Sequence, residues 1–144
     1  MSREPGCVFC KIVAVEIPAS VVFENESILT LLDIGPLSEG HLLVIPRKHY
    51  SKLSDLPPSE SAQLGAVLPR MARALLEVTH AEGFNVLLNE GRTAGQLVPH
   101  VHFHIIPRSP RDNLGYRWHA GTYSSGRAEE VAAAYQEALS RQTQ

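Results

Sequence analysis

The five residues His100-Val101-His102-Phe103-His104 alternate between imidazole and apolar side chains and contain three of the chain's seven histidines. Consecutive side chains of a β-strand point to opposite faces, so this alternation predicts a strand with all three imidazoles on one face. The apolar residues between them, continued by Ile105, form the other face and explain why the segment is a strand. They do not explain three imidazoles in a row, which need a chemical interpretation.

Three interpretations of the histidine face are open. It is a polar, solvent-facing strand, although lysine, threonine, glutamate or serine would serve that purpose equally well. It is the centre of a metal-dependent hydrolase, with two or three of the imidazoles as zinc ligands. Or one histidine is a nucleophile toward phosphorus while its neighbours orient it and neutralise a phosphate, since neutral imidazole is a competent nucleophile near pH 7.

The loop that precedes this strand favours the nucleophilic interpretation. Residues 89–96 have the sequence Asn-Glu-Gly-Arg-Thr-Ala-Gly-Gln. Glycines allow backbone N–H groups to approach an anion closely, and asparagine and glutamine add neutral donors. Such a loop is a weak signal alone, but here it leads directly into the histidine strand.

Hydrophobic periodicity predicts the other elements. The predicted strands are 21–24, 28–33, 41–46, 84–88 and 98–106, and the predicted helices are about 57–82 and about 127–141. We expect Pro69 to kink the long helix and Gly83 to end it. This order predicts an α+β fold: a mainly antiparallel five-stranded sheet with one long helix and a C-terminal helix.

Bulk properties exclude several classes of protein. A length of 144 residues suits one domain, and the formal charge of −2 offers no basic surface for nucleic acid. No segment approaches the roughly 20 apolar residues that would cross a membrane. The first residues lack the apolar core of a signal peptide, so a cytoplasmic location is expected. Cys7 and Cys10 are too few for a disulfide scaffold, and their spacing leaves a redox pair or half of a zinc site open.

Several motifs, taken in order, resemble the histidine triad (HIT) nucleotide-binding family, in its bacterial-type zinc-containing branch. They are Cys7-Val8-Phe9-Cys10-Lys11-Ile12, Glu16-Ile17-Pro18-Ala19, Leu32-Asp33-Ile34, the run from Gly40 to Pro46 followed by His49, and Asn89-x-Gly91-x-x-x-Gly95-Gln96-x-Val98-x-His100-x-His102-x-His104-Ile105-Ile106-Pro107. The resemblance implies a HIT-like fold with residues 1–108 as the histidine-triad domain. Residues 109–144 would be a C-terminal extension of the same domain that ends in a helix.

The resemblance also implies a reaction. His102 would attack the α-phosphorus of a nucleoside phosphoramidate or dinucleoside polyphosphate, and water would release the nucleotide from the covalent intermediate. His104 and His41 would lie near the phosphate and tune His102. The partners would be a purine nucleotide of the AMP or GMP type and a second copy of the chain in a homodimer, with neither nucleic acid nor membrane involved.

The nucleotide pocket is implied in the same way. Asn89 and the backbone of Gly95, Gln96, Leu97 and Val98 would hold phosphate oxygens. Asp33 would accept the ribose hydroxyls, because a carboxylate can accept two O–H donors. The residues implied as the walls of the purine pocket are Phe9, Ile12, Ile17, Leu31 and Ile34.

The resemblance also implies a structural zinc ion, which many bacterial relatives hold, and all four of the implied ligand positions are filled here. They are Cys7, Cys10, His49 and His100. A Cys₂His₂ set is closed, with no open position for substrate, so this zinc would be structural rather than catalytic.

The sequence departs from the family pattern at two places. Leu97 stands where the phosphoramidase branch usually has serine or threonine, and leucine has no proton to donate to a leaving group. This leaves an alternative open: a nucleotide-binding sensor or partner protein with little catalysis. The second departure is the longer C-terminal extension, whose segment 113–119 either reaches the substrate or partner subunit or belongs to a surface extension with a docking helix.

Overall fold

The computed structural model describes residues 3–115 and 119–142, and the chain forms two compact units, Met1–Leu114 and Gly115–Gln144. The elements of the first unit are α1 (Val8–Val13), β1 (Val21–Glu24), β2 (Ile28–Leu32), β3 (Leu42–Pro46), α2 (Pro58–Thr79), β4 (Gly83–Leu88) and β5 (Phe103–Arg108), with single 3₁₀ turns at Leu53–Asp55 and Arg92–Ala94. The second unit contains α3 (Arg127–Ser140), on which Tyr135 and Leu139 are exposed. Residues 116–118 of the segment singled out above lie outside the described residues, and the domain assignment of residues 109–144 stays a prediction.

The five strands form one sheet in the order β1-β2-β3-β5-β4, and every neighbouring pair is antiparallel. The predicted α+β fold, with its antiparallel five-stranded sheet, long helix and C-terminal helix, is therefore confirmed. The last two strands pair directly, as their connecting loop predicts. None of the helices in the described part of the chain is long and apolar enough to span a bilayer.

Both faces of the sheet are covered, because alternate residues of β2 and β3 enter two different apolar clusters. One cluster packs under α2 and contains Ile28, Leu42, Val44, Leu64, Val67, Met71, Leu75, Val101 and Ile105. The other covers the opposite face and contains Cys7, Phe9, Cys10, Leu29, Leu31, Leu43 and Ile45. The second cluster fixes α1 against the sheet, which brings the two cysteines close to the histidines.

The prediction that Gly83 ends the long helix is wrong. Helix α2 continues through Pro69 and ends at Thr79, and His80 follows it in the left-handed region with φ 55°. The backbone N–H of His80 still donates to the carbonyl of Leu76. Histidine tolerates this conformation better than most non-glycine residues, so the chain turns three residues earlier and Gly83 begins β4.

The prediction that the last strand begins at Val98 is also wrong, since β5 begins at Phe103. The N–H of His100 donates to the carbonyl of Val98 at 2.8 Å, and the N–H of Val101 donates to Tyr50 at 2.7 Å. These bonds fold residues 98–102 against a neighbouring loop instead of into the sheet ladder. Two histidines of the motif therefore precede the strand, but the predicted sidedness holds: Val101, Phe103 and Ile105 all pack into the cluster under α2.

Candidate active site

His102 is the centre of the site, and its hydrogen bonding defines which ring nitrogen is free. Its Nδ1 lies 2.7 Å from the carbonyl oxygen of His100, and the side chain is buried. A carbonyl oxygen only accepts hydrogen bonds, so Nδ1 carries the proton of the neutral ring. The Nε2 atom then holds a lone pair, which is the form that a histidine nucleophile requires.

Phe9 of α1 packs against the rings of both His102 and His100. Its ring meets His102 edge-on at a centroid distance of 5.1 Å and His100 at 5.7 Å. Phe9 itself is buried in the cluster that contains the two cysteines. Helix α1, which the sequence pattern did not predict, therefore positions the histidine rings as well as the two cysteines of the predicted zinc site.

His104 and His41 form a pair beside His102. The Nε2 atom of His41 lies 2.9 Å from Nδ1 of His104, and the rings of His104 and His102 have centroids 5.0 Å apart. Burial lowers the pKa of His41, and burial together with the neighbouring His102 and His41 lowers the pKa of His104 to about 4. Both rings are therefore neutral near pH 7.

Asp33 follows β2 and lies beside this histidine pair. Its Oδ1 accepts the N–H of Gly35 at 2.8 Å, and its Oδ2 lies 3.5 Å from Nε2 of His41. The backbone holds it there, because the N–H of Asp33 donates to the carbonyl of His41 at 2.9 Å. The carboxylate is partly exposed and keeps lone pairs for further donors such as the predicted ribose hydroxyls.

The glycine loop has the backbone that an anion cradle needs. Gly91 and Gly95 have φ values of 84° and 93°, a region that side chains disfavour. The side chain of Gln96 closes the loop: it accepts the N–H of Gly91 at 2.8 Å and donates to the carbonyls of Ser51 and Val98, each at 3.1 Å. Both N–H donors of its amide are used in shaping the loop, which leaves the backbone and Asn89 as donors for the predicted phosphate contacts.

The predicted pocket residues fall into three groups. Phe9 and Leu31 are buried, whereas Ile12, Ile17 and Val98 are half-buried. The side chain of Ile34 is fully exposed, and that of Leu97 is 92% exposed. Leu97 thus projects from the loop that follows the two glycines.

The four predicted zinc ligands come together in the structure. The Sγ atoms of Cys7 and Cys10 and the ligand nitrogens of His49 and His100 all lie within 4.8 Å of one another. Nδ1 of His100 is 3.4 Å from Sγ of Cys7 and 3.2 Å from Nδ1 of His49. Two sulfurs and two nitrogens around one point match the donor set of a tetrahedral zinc site.

Hydrogen bonding prepares His100 for this role. Its Nε2 lies 2.8 Å from the carbonyl of Pro46 and therefore carries the ring proton, leaving the lone pair of Nδ1 to face the thiols. Burial, which is the main cause, lowers the pKa of His100 to about 4. A neutral imidazole with one lone pair directed at two thiols is the arrangement of a metal ligand.

A second group of potential ligands, formed by Asp33, His41 and His104, also has donor atoms within 4.8 Å of one another. It differs from the first in its donor atoms, since it contains a carboxylate and no thiol. Its two ring nitrogens are 2.9 Å apart, compared with 3.2 Å between Nδ1 of His49 and Nδ1 of His100 in the first group. The described residues thus form a Cys₂His₂ cluster and a separate Asp–His–His cluster.

Two contributors to the site could not be read from side-chain motifs. Ser51 supplies a carbonyl to Gln96 and places its hydroxyl 3.4 Å from Nε2 of His49. Leu37 contributes only its backbone N–H, which donates to Nδ1 of His41 at 3.1 Å. A backbone amide is present at almost every residue, so no sequence signal could have singled out Leu37.

Comparisons with known proteins match this chain to one family. A sequence profile of the HIT domain matches residues 14–111. Adenylylsulfatase HINT3 of Arabidopsis thaliana is 44% identical over 108 residues, which are 75% of this chain and 55% of that protein. The chain thus spans about half the length of that relative.

Two further proteins match over nearly their whole length. Adenosine 5'-monophosphoramidase hnt1 of Schizosaccharomyces pombe is 39% identical over 137 residues, which are 94% of this chain and 98% of that protein. The crystal structure of a zinc-bound histidine triad family protein from Mycobacterium smegmatis is 41% identical, with a TM-score of 0.72, and the match covers 93% of this chain and 97% of that one.

Proposed function

The chain belongs to the HIT domain family, and on that premise we propose that it is a nucleotide hydrolase or transferase with His102 as its covalent nucleophile. Its substrates are nucleoside phosphoramidates or dinucleoside polyphosphates with a purine base. Relatives named as an adenylylsulfatase and an adenosine 5'-monophosphoramidase support this class of reaction. The observation that carries the proposal is the hydrogen bond from Nδ1 of His102 to the carbonyl of His100, which leaves Nε2 free to attack.

The reaction has two steps. The lone pair of Nε2 forms a bond to the α-phosphorus, the bond from phosphorus to the leaving nitrogen or oxygen breaks, and the leaving group takes a proton from the solvent. Water then attacks the same phosphorus and releases one proton to the solvent, the bond to Nε2 breaks, and a nucleoside monophosphate departs. The two steps together return His102 to its starting form, and splitting the displacement in this way is the advantage of covalent catalysis.

The other residues are assigned the roles that the family resemblance implies. Asn89 and the backbone from Gly95 to Val98 hold phosphate oxygens, and Asp33, whose carboxylate lies beside His41, accepts the ribose hydroxyls. Phe9, Ile12, Ile17, Leu31 and Ile34 are proposed to border the purine. His41 and His104 remain neutral near pH 7, so they contribute hydrogen bonds rather than positive charge to the phosphate.

We propose that Cys7, Cys10, His49 and His100 hold one structural zinc ion. The fit rests on the donor set and on the lone pair of His100 that faces the thiols. The zinc-bound relative from Mycobacterium smegmatis supports the same assignment. A zinc ion there favours the thiolate form of Cys7, whose pKa is otherwise raised by burial.

Two further proposals concern the setting of the protein. We propose a homodimer, because β4 lies at an edge of the sheet and exposes Phe84 and Val86. We propose a cytoplasmic location, because two free cysteines that serve as zinc ligands suit a reducing compartment. Light scattering and cell fractionation test these two points.

A second candidate function is a nucleotide-binding sensor with little catalysis. The observation that favours it is Leu97, whose exposed side chain cannot donate a proton to a leaving group. Tight AMP binding combined with turnover no faster than in buffer, across phosphoramidate and polyphosphate substrates, would select this candidate.

The decisive experiment is intact-mass analysis of the zinc-loaded protein after rapid quenching with adenosine phosphoramidate or diadenosine polyphosphate. We expect a mass increase of one adenosine monophosphate that maps to His102 and is absent from His102→Ala. Turnover without any adduct, retained in His102→Ala, would contradict the covalent mechanism. Activity that disappears with zinc while the fold survives would favour a metal-dependent hydrolase instead.

A further inference from the structure

A chain of two hydrogen bonds runs from a loop backbone to β5 beside the nucleophile. The N–H of Leu37 donates to Nδ1 of His41 at 3.1 Å, and Nε2 of His41 lies 2.9 Å from Nδ1 of His104. A backbone amide only donates, so Nδ1 of His41 must accept with its lone pair. The single proton of the neutral ring of His41 is therefore on Nε2.

The same reasoning applies to the ring of His104. Nε2–H of His41 can only donate, so Nδ1 of His104 is the acceptor and the proton of His104 is on its own Nε2. We propose that the backbone amide of Leu37, acting through His41, fixes His104 as an Nε2–H hydrogen-bond donor to phosphate. The substrate in this inference rests on the proposed function, whereas the proton positions do not.

This relay gives two neighbouring histidines opposite roles. His102 keeps its proton on Nδ1 and has a lone pair on Nε2, whereas His104 keeps its proton on Nε2. Their ring centroids are 5.0 Å apart, so a phosphate next to the nucleophile meets a donor on the adjacent ring. His104 is therefore a donor to the phosphate or leaving group and not a second nucleophile.

The relay also favours the neutral form of both rings. A protonated His41 would carry a hydrogen on Nδ1 that faces the N–H of Leu37. A protonated His104 would carry a hydrogen on Nδ1 that faces the Nε2–H of His41. The charged and titratable groups that face the pair are Asp33, with Oδ2 3.5 Å from Nε2 of His41, and His102. Burial outweighs the attraction of Asp33 and lowers the pKa of both rings.

The loop that carries Leu37 is held from both sides. Asp33 accepts the N–H of Gly35 at 2.8 Å, and the hydroxyl of Ser38 donates to the carbonyl of Pro107 in β5 at 2.7 Å. The N–H of His41 donates to the carbonyl of Ser38 at 3.1 Å. These contacts fix the amide of Leu37 relative to the strand that carries His104.

The relay decides between two interpretations of the Asp33–His41–His104 cluster. A metal ion bound to Nε2 of His41 and Nδ1 of His104 would replace their shared proton. The remaining proton of His41 would then move to Nδ1, where it would oppose the N–H of Leu37. The cluster is therefore a hydrogen-bond relay, and we expect the protein to bind zinc only at its cysteine–histidine cluster.

The test is two-bond ¹H–¹⁵N NMR of the histidine rings in the full-length, zinc-loaded protein without nucleotide, with peaks assigned by single His→Gln variants. We expect a pyrrole-type Nε2 and a pyridine-type Nδ1 for both His41 and His104. A pyrrole-type Nδ1 on either ring would overturn the inference. So would a second bound zinc ion that shifts both rings.

A matched pair of variants tests the origin of the relay. Leu37→Pro removes the amide proton, whereas Leu37→Ala keeps it and only shortens an exposed side chain. We expect Leu37→Ala to keep the wild-type ring protons and Leu37→Pro to give mixed tautomers at both rings. Wild-type tautomers in a folded Leu37→Pro variant would overturn the role of the amide. If that variant does not fold, the wild-type spectrum still decides where the protons are.

Kinetics separate a positioning role from a structural one. In Leu37→Pro we expect kcat to fall by on the order of 10- to 100-fold, with the Kd for AMP changed by less than about threefold. Equal losses in AMP binding and kcat would indicate a damaged pocket and overturn the inference. If the wild type cleaves no nucleotide substrate, the proposed function fails, but the tautomer pattern remains testable in the free protein.

Discussion

His100 accepts a hydrogen bond from Nδ1–H of His102 through its backbone carbonyl at 2.7 Å, while its side chain faces the thiols of Cys7 and Cys10. One residue therefore joins the Cys₂His₂ cluster to the ring that we propose as nucleophile. Its backbone orients His102 and sets its tautomer, and its side chain anchors that backbone to α1. The two functions are carried by different atoms, so they can be separated by mutation.

The first prediction concerns the nucleophile. In His102→Gly we expect turnover of adenosine phosphoramidate to fall by about 10³-fold or more, because the group that forms the bond to phosphorus is gone. Added imidazole should restore part of the activity by occupying the vacated space. His80→Gln is the control for imidazole, since His80 caps α2 outside the site. A His102→Gly protein that matches wild-type turnover without imidazole would contradict the role.

The second prediction concerns the metal. We expect one zinc ion per wild-type chain by elemental analysis and none in Cys10→Ala. At free zinc about 1,000-fold above its Kd, the ion stabilises the fold by about 4 kcal/mol, which denaturant unfolding with and without chelator measures. Chelator should have no further effect on Cys10→Ala. A wild-type protein whose stability is the same with and without zinc would argue against a structural site.

The third prediction concerns Leu97. Its side chain is 92% exposed, so substitutions there should change the free energy of unfolding by less than about 0.5 kcal/mol. In Leu97→Thr we expect a higher kcat for adenosine phosphoramidate, because the hydroxyl can donate to the leaving nitrogen. Leu97→Ala is the matched control that removes the leucine without adding a donor. Equal kcat values for the two variants would show that the hydroxyl is not the missing element.

The features that depend on side-chain type and spacing could be predicted from the sequence. Alternation predicted which residues around His102 face the core, and the resemblance predicted the four ligands that the structure brings together. Strand periodicity located β1 to β4 within one residue at each end, because both sheet faces are covered by apolar clusters.

The features that could not be predicted depend on backbone groups and on partners distant in sequence. The backbone N–H of Val101 donates to the carbonyl of Tyr50 instead of to a neighbouring strand, and no side-chain pattern predicts this hydrogen bond. The role of the backbone amide of Leu37, which donates to the ring of His41, could not be predicted from side-chain patterns either. The helical turn α1 was missed because its six residues are too few for a period to be recognised.

The fourth prediction concerns the buried hydroxyl of Thr30. This residue in β2 is fully buried, and its Oγ1 has no hydrogen-bond partner within the residues that the structure describes. Thr30→Val keeps the branched shape and removes the unpaired hydroxyl, so we expect the free energy of unfolding to rise by about 1 kcal/mol. Thr30→Ser keeps the hydroxyl, loses a methyl group and should lower it by about 1 kcal/mol. Urea unfolding distinguishes these signs, and a destabilised Thr30→Val would mean that the hydroxyl has a partner.

The last prediction concerns the pH dependence of stability at the end of β5. Nε of Arg108 donates to Asp112 at 2.7 Å, and the backbone N–H groups of Leu114 and Ser109 donate to the same carboxylate at 3.1 and 3.0 Å. The guanidinium, and then these two amides, hold the pKa of Asp112 well below its usual range.

A carboxylate whose pKa is lower in the folded than in the unfolded chain stabilises the fold above its unfolded pKa of about 3.9, and this stabilisation is lost as the pH falls toward the folded value. We therefore expect Asp112→Asn to be less stable than wild type at pH 7, and the difference to shrink steadily below about pH 4. Asp55→Asn, which changes an exposed carboxylate in a surface turn, is the control for the general effect of removing one negative charge. Urea unfolding midpoints between pH 7 and pH 3 measure both differences. A gap between Asp112→Asn and wild type that stays constant over this range would mean that the ion pair with Arg108 does not hold the carboxylate in its charged form.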